Sequence, residues 1–124
     1  MKILVIDPSP LFLRAARNFI EALPCCECVA AASLDEALGK VVTRDADMAL
    51  IDYSLRGAGA QGAAHRLKTL APTARVLLLT EDAAAYRNSC LAAEAHGCLA
   101  KDSLGSDLPP LVAGFAPEYG TARA

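Results

Sequence analysis

The sequence predicts an α/β protein in which a parallel sheet is covered by helices on both faces. Short apolar runs alternate with helical patterns along the chain, which is typical of repeated βα units. The apolar runs are continuous, as expected for strands that are buried on both faces. With 124 residues, 54% of them hydrophobic and 21% charged, the chain is large enough for one domain with a sizeable core.

The first βα unit begins with a strand at residues 3–6. Ser9 followed by Pro10 has the form of a helix N-cap and a first helical residue. Apolar residues then recur at helical spacing until Pro24 ends the helix. Residues 26–32 are small and weakly patterned, and they are predicted to form the second strand.

The second and third units follow the same plan. Ser33 and Glu36 form a capping box, in which each side chain satisfies a backbone N–H group, and this helix is predicted to run to about Val42. Residues 48–51 form the third strand. A Gly-rich loop and a helix over about residues 60–70 follow it.

The fourth strand is predicted at residues 76–79, and a long Ala-rich helix that reaches about residue 95 follows it. Gly97 marks the end of that helix because glycine is a poor helix former. Residues 98–100 then make a brief fifth strand.

The last predicted helix is opened by Asp107, Pro109 and Pro110, because proline is favoured in a first helical turn. The domain is expected to span residues 1–115. Residues 116–124 are expected to be a frayed tail.

Charge and hydropathy exclude several function classes. The net charge of −2 argues against the broad basic surface that nucleic-acid binding needs, so no direct binding to nucleic acid is expected. No apolar run approaches the roughly 20 residues that span a bilayer, and a cytoplasmic protein without a signal peptide is expected. The five cysteines are odd in number and crowded at residues 25–28, so reduced thiols are expected.

Polar side chains stand directly after four of the predicted strands. They are Asp7, Asp52, Thr80 and Lys101. Because the carboxyl ends of parallel strands meet at one edge of a sheet, we expect these groups to converge there. Two carboxylates can hold Mg²⁺, and a hydroxyl and an ammonium can bind phosphoryl oxygens. The combination points to phosphoryl chemistry.

Four segments carry a resemblance to a known family. They are ILVIDPSP at residues 3–10, ALIDYSL at 49–55, LLT at 78–80 and GCLAK at 97–101. In this order and spacing, the chain resembles the receiver domain of bacterial two-component response regulators from Lys2 to about Phe115. The resemblance implies a flavodoxin-like sheet of order 2-1-3-4-5, with two helices on one face and three on the other.

The resemblance also assigns roles to individual residues. Asp52 matches the phosphoacceptor, which takes a phosphoryl group from a histidine kinase or a phosphotransfer protein. Asp7 matches an acid that holds Mg²⁺, and the backbone carbonyl of Ser54 matches a further metal ligand. Thr80 matches the hydroxyl that contacts the phosphoryl group, and Lys101 matches the ammonium that pairs with it. Such a receiver is not an enzyme but a phosphoacceptor with at most slow self-dephosphorylation.

Three positions depart from the family pattern. Pro8 stands where the family has a second acid, so weaker Mg²⁺ binding is expected. Glu81 directly follows Thr80, where the family prefers a small residue, and it could replace the missing acid as a metal ligand or obstruct the pocket. Cys98 replaces an aromatic residue that swings inward as the threonine moves, so this coupling cannot operate in its usual form.

Two alternatives to a phosphorylated receiver stay open. One is a degenerate receiver that is not phosphorylated and acts as a protein-interaction module. The other is a small enzyme or redox module that uses Cys98 or the cysteines at 25–28, although neither His65 nor His96 stands at a strand end where a base is expected.

The partners that the resemblance implies follow from phosphorylation. A phosphoryl group on Asp52 would shift a two-state equilibrium and change the surface of the fourth helix, the fifth strand and the last helix. The partners are then the phosphodonor protein and either a downstream effector or a second receiver copy, and no membrane is expected among them.

Overall fold

Five parallel strands form the centre of the computed structural model, which describes residues 1–40, 45–52, 59–81 and 97–115. The strands are β1 (Lys2–Ile6), β2 (Glu27–Ala31), β3 (Met48–Asp52), β4 (Arg75–Thr80) and β5 (Gly97–Ala100). The helices are α1 (Pro10–Glu21), α2 (Leu34–Leu38), α3 (Gly59–Leu70) and α4 (Leu104–Phe115), the last preceded by a 3₁₀ helix over Lys101–Ser103. The strand order is β2-β1-β3-β4-β5, as the sequence predicted.

Alternation along the strands divides the interior into two cores, one on each face of the sheet. Val5 packs on one face with Ile20 of α1 and Leu108 of α4. Ile6 packs on the other face with Leu67 of α3, and α2 joins the same side. These five side chains are almost completely buried. Helices therefore cover both faces, and the doubly wound fold is confirmed.

The predicted helix caps form as hydrogen bonds. At the start of α1, the Ser9 hydroxyl oxygen accepts from the Phe12 N–H at 3.2 Å. At the start of α2, the Ser33 hydroxyl oxygen accepts from the Glu36 N–H at 3.1 Å. The Glu36 carboxylate in turn accepts from the Ala32 N–H at 2.8 Å, one residue before the cap. These bonds satisfy N–H groups that have no partner inside the helix.

The second helix is shorter than the sequence predicted. It ends at Leu38 rather than near Val42, and Gly39 is its C-cap residue. Glycine destabilises a helix interior, and the Lys40 N–H donates to the Ala37 carbonyl in a tighter turn. Residues 41–44 lie outside the described residues.

The last helix begins earlier than its prolines suggested. The 3₁₀ helix over Lys101–Ser103 continues directly into α4 at Leu104, so Pro109 and Pro110 lie inside the helix rather than at its start. The prediction that the prolines open the helix was wrong because the 3₁₀ turn already supplies a helical entry one turn upstream. Each proline lacks an N–H group, so two hydrogen bonds of the helix cannot form.

Three sequence predictions lie outside the described residues in whole or in part. They are the helix between the fourth and fifth strands, most of the Gly-rich loop, and the tail at 116–124. Of the helices that are described, none combines the length and the apolar character that crossing a bilayer requires.

The cysteines correct one expectation. Cys25, Cys26 and Cys28 are free thiols, as predicted. Cys98 is disulfide-bonded, so the prediction of reduced thiols is wrong at this residue. An odd cysteine count shows that one thiol must stay unpaired within the chain, but it does not show which residues the fold brings together.

Candidate functional site

The strand register brings Asp7 and Asp52 to the same edge of the sheet. Ile6 pairs with Ile51 across β1 and β3, so the two aspartates that follow them are level with each other. Successive strand residues alternate between faces, and both aspartates have the parity of the residues that pack against α1 and α4. The fold therefore places two carboxylates side by side at the carboxyl end of the sheet.

The neighbouring strands bring a hydroxyl and an ammonium to this edge. Thr80 is the last residue of β4 and pairs with Ala100, the last residue of β5. Lys101 follows Ala100 and begins the 3₁₀ helix. The two aspartates and Thr80 are the buried polar or charged residues among those described. Burial of such groups requires partners, because an unsatisfied polar group in a protein interior is costly.

Lys101 is the partner that joins the two carboxylates. Its Nζ atom lies 2.6 Å from Asp7 Oδ2 and 2.7 Å from Asp52 Oδ1. The side chains of the aspartates are 1% and 5% exposed, whereas that of Lys101 is 24% exposed. One ammonium thus compensates two buried negative charges and leaves the cluster with a net charge of about −1.

The contact with the two carboxylates keeps Lys101 protonated. Burial alone would lower the pKa of Lys101, but hydrogen bonds from its ammonium to Asp52 and Asp7 outweigh that effect, so the pKa lies above its ordinary value. The side chain is therefore a fixed cation at neutral pH. It can neutralise negative charge that is added at this edge of the sheet.

Asp7 is also held by the start of α1. Its Oδ1 atom accepts a hydrogen bond from the Ser9 N–H at 2.8 Å, across the exposed Pro8. Ser9 is at the same time the N-cap of α1 and accepts from the Phe12 N–H. The turn thus fixes one carboxylate oxygen and directs the other, Oδ2, toward Lys101.

Phe12 provides a further contact to the ammonium. The Nζ atom of Lys101 lies 5.0 Å from the centroid of the Phe12 ring, which is within the range of a cation–π interaction. The ring itself packs against the core under α1. The ammonium is consequently held by two carboxylates and by an aromatic face.

The predicted site residues are thus brought together only in part. Asp7, Asp52 and Lys101 are in direct contact, and Thr80 is buried at the end of the adjacent strand. Glu81 is exposed, and no three carboxylate, imidazole or thiol groups within the described ranges lie close enough to hold a metal together. The structure therefore does not bring Glu81 into a three-acid cluster, and Ser54 lies outside the described residues.

The donor set at this edge is compatible with Mg²⁺. This ion prefers oxygen ligands and is commonly bound through one or two carboxylates, with water and phosphate oxygens completing the coordination. Asp7 and Asp52 supply two carboxylates. Apart from its contact of 2.6 Å with Lys101 Nζ, Asp7 Oδ2 is a buried oxygen with no further partner among the described residues, so it retains a lone pair for a cation.

Two residues of the site were missed in the sequence. Ser9 was predicted only as a helix cap, and Phe12 is only one of the apolar residues that recur at helical spacing in the first helix. The Asp-Pro-Ser spacing contained a signal for Ser9, because an aspartate often accepts a hydrogen bond from the N–H two residues later. Nothing in the sequence linked Phe12 to Lys101, because they are 89 positions apart and come into contact only in the folded protein.

Comparison with known proteins is consistent with this geometry. The family model described as the response regulator receiver domain matches residues 3–112. The nitrate/nitrite response regulator protein NarP of Escherichia coli K12 is 30% identical over 104 residues, which cover 82% of this chain and 48% of NarP. The chain thus spans about half the length of this curated relative.

Solved structures share the fold. The signal receiver domain of the response regulator NarL from Mycobacterium tuberculosis is 26% identical, with a TM-score of 0.78 over 94% of this chain and 95% of that one. A complex of the P1 domain of CheA3 with CheY6 from R. sphaeroides matches with a TM-score of 0.70 at 23% identity, covering 81% of each chain.

Proposed function

The chain belongs to the response regulator receiver family of two-component signalling, and from this premise we propose that Asp52 accepts a phosphoryl group from a histidine kinase or a phosphotransfer protein. The observation that supports this most directly is the contact of 2.7 Å between Lys101 Nζ and Asp52 Oδ1. A cation that already touches the acceptor can stabilise the charge that a phosphoryl group would bring.

The chemistry would exchange one bond to phosphorus for another. A carboxylate oxygen of Asp52 attacks the phosphorus atom, an acyl phosphate bond forms, and the phosphorus–nitrogen bond of the donor histidine breaks. The electron pair of that bond stays on the imidazole, which takes up a proton. Lys101 remains protonated throughout, because its raised pKa keeps it charged at neutral pH. Thr80, at the end of the adjacent strand, would donate its hydroxyl to a phosphoryl oxygen.

Asp7 and Asp52 are the residues that would hold Mg²⁺, with the Ser54 carbonyl proposed as a third ligand. The ion supplies charge neutralisation between the acceptor carboxylate and the incoming phosphoryl group. Because Asp7 Oδ2 and Asp52 Oδ1 also bind Lys101, binding of a divalent cation must compete with the ammonium. Together with Pro8 in place of an acid, this competition predicts weak affinity.

The phosphorylation proposal is tested by incubating the protein with Mg²⁺ and a small phosphodonor and measuring the intact mass. We expect one phosphate adduct on the wild type and none on Asp52→Asn. Asp102→Asn is the matched control, because Asp102 is an exposed carboxylate at the same edge of the sheet, adjacent to Lys101. The proposal fails if no adduct forms under conditions that label an ordinary receiver, or if the adduct persists in Asp52→Asn.

The partner of the proposed reaction is a phosphohistidine-bearing protein. The fold relative CheY6 was crystallised in complex with the P1 domain of CheA3, so a protein of this fold is known to bind a protein partner. Downstream, a phosphorylated receiver would act through an effector or through a second receiver copy. The relative NarP extends over about twice the length that the chain matches, which is consistent with an effector region in proteins of this kind.

A second candidate function rests on Pro8. A proline has no side-chain oxygen, and the described residues form no three-acid cluster, so a degenerate receiver that only binds proteins is the competing proposal. The effect of Mg²⁺ on the free energy of unfolding distinguishes a phosphorylated receiver from a degenerate one. Phosphorylation competence predicts an increase of about 1.4 kcal/mol in the free energy of unfolding at ten times the dissociation constant, and loss of this increase in Asp7→Asn. No increase at any Mg²⁺ concentration favours the degenerate receiver.

A further inference from the structure

We propose that Phe12 is a positioning residue that holds the Lys101 ammonium between Asp7 and Asp52, and that it thereby sets the rate of phosphoryl transfer. The second part rests on the proposed phosphorylation of Asp52. The inference rests on the distance of 5.0 Å between Lys101 Nζ and the centroid of the Phe12 ring.

The two ion pairs of Lys101 do not by themselves fix the direction from which its side chain approaches the carboxylates. A lysine side chain has four rotatable bonds, and Lys101 is 24% exposed, so water competes for its Nζ atom. The two carboxylates provide charge but little direction, because an ammonium is a point charge that can rotate around them. The Phe12 ring contacts the ammonium from a third direction and favours the position of Nζ between the two carboxylates.

The Phe12 ring is itself placed by the carboxylate turn. Asp7 Oδ1 accepts from the Ser9 N–H, and the Ser9 hydroxyl oxygen accepts from the Phe12 N–H. The ring also packs against the core under α1. The hydrogen bonds thus fix the backbone of Phe12 relative to Asp7, and core packing restricts where its ring can lie.

The chain offers a matched control for this contact. Phe19 lies on the same helix, is also half-buried and packs against the same core. Its ring lies close to Gly105 of α4 rather than to the site. Phe12→Leu and Phe19→Leu therefore remove equal volume from one core, but only the first removes an aromatic face from Lys101. Phe12→Tyr retains that face and serves as the conservative rescue.

The first readout does not depend on phosphorylation. The full chain is treated with a limiting amount of an amine-acylating reagent, and acylation of Lys101 is measured by peptide mass spectrometry against Lys40, which is 38% exposed. We expect Phe12→Leu to raise the Lys101 to Lys40 ratio about threefold to tenfold, the factor that a cation–π contact represents. Phe12→Tyr and Phe19→Leu should stay within about twofold of the wild type.

The second readout is the rate at which Asp52 is labelled by a small phosphodonor. We expect Phe12→Leu to slow it by a similar factor, with recovery in Phe12→Tyr and no comparable loss in Phe19→Leu. An unchanged acylation ratio in Phe12→Leu, an equal change in Phe19→Leu, or an unchanged labelling rate overturns the inference while phosphorylation stands. If the wild type is not labelled at all, the proposed function and the rate effect fail together, and the acylation ratio still decides whether Phe12 positions Lys101.

Discussion

Removal of the ammonium between the two buried carboxylates should destabilise the fold. Lys101→Met keeps most of the side-chain length but leaves Asp7 and Asp52 without their shared cation. The two oxygens that touch Nζ lie within about 5 Å of each other, where like charges repel by roughly 3 kcal/mol at an effective dielectric constant of 20. Water entry and side-chain movement relieve part of this repulsion, so we expect the free energy of unfolding to fall by about 2 kcal/mol at pH 7.

A double-mutant cycle tests whether the lost stability comes from repulsion between the two carboxylates. Urea unfolding followed by circular dichroism gives the free energy of unfolding of the wild type, Lys101→Met, Asp52→Asn and the double variant. Lys101→Met should cost at least about 1.5 kcal/mol less in the Asp52→Asn background, because one of the repelling charges is gone. Lys40→Met, which breaks an exposed pair of 4.0 Å with Glu36, should cost under about 0.5 kcal/mol. Equal costs of Lys101→Met in both backgrounds would refute the reasoning.

Three further predictions concern pH, thiol reactivity and helix caps. Because the pKa of Lys101 is raised, its charge should contribute fully to stability from neutral pH up to about pH 10.4, and this contribution should be lost as the pH rises through the folded-state pKa. On the alkaline side, the difference in unfolding free energy between wild type and Lys101→Met should therefore stay constant up to about pH 10.4 and narrow above it. Burial raises the pKa of Cys28 to about 11, so alkylation at pH 8 should modify the exposed Cys25 first and reach Cys28 only in urea; equal rates in peptide mapping would contradict this. Ser9→Ala and Ser33→Ala should each lower the unfolding free energy by about 1 kcal/mol. Only Ser9→Ala should also raise Lys101 acylation, because the Ser9 hydroxyl accepts a hydrogen bond from the N–H of Phe12, whose ring contacts Lys101.

The parallel sheet was predictable because its signals are local and repeated. Continuous apolar runs, the caps at Ser9 and Ser33 and the polar residues after each strand all point to the same architecture. The boundaries were less predictable, because they depend on competition among neighbouring turns. The prolines of α4 are an example, since the 3₁₀ turn that precedes them determines where the helix begins.

The candidate site was predictable as a set of residues but not as a set of contacts. The strand ends indicated that Asp7, Asp52 and Lys101 converge. That Lys101 bridges both aspartates depends on the length of its side chain and on the register of β1 and β3. The Phe12 contact depends on how α1 lies on the sheet, which no local pattern encodes.

The position of Lys101 in the chain bears on how a phosphoryl signal would leave the site. Alternation along β4 and β5 places Thr80 and Cys98 on the face covered by α2 and α3, and Cys98 packs against that core. Cys98 is small and disulfide-bonded, so it cannot swing inward as the resemblance implies for the aromatic residue of the family.

On the opposite face of the sheet, Lys101 connects the site directly to α4 and α1. The Lys101 Nζ atom contacts Asp7 and Asp52, whose strand parity places them on the face that α1 and α4 cover. Lys101 is also the first residue of the 3₁₀ helix that continues without interruption into α4. If Asp52 is phosphorylated as proposed, we expect the added negative charge to draw the ammonium toward Asp52, and Lys101 is placed beside Phe12 of α1 and at the entry to α4. In this receiver the lysine would therefore both neutralise the phosphoryl group and transmit its presence to the helices.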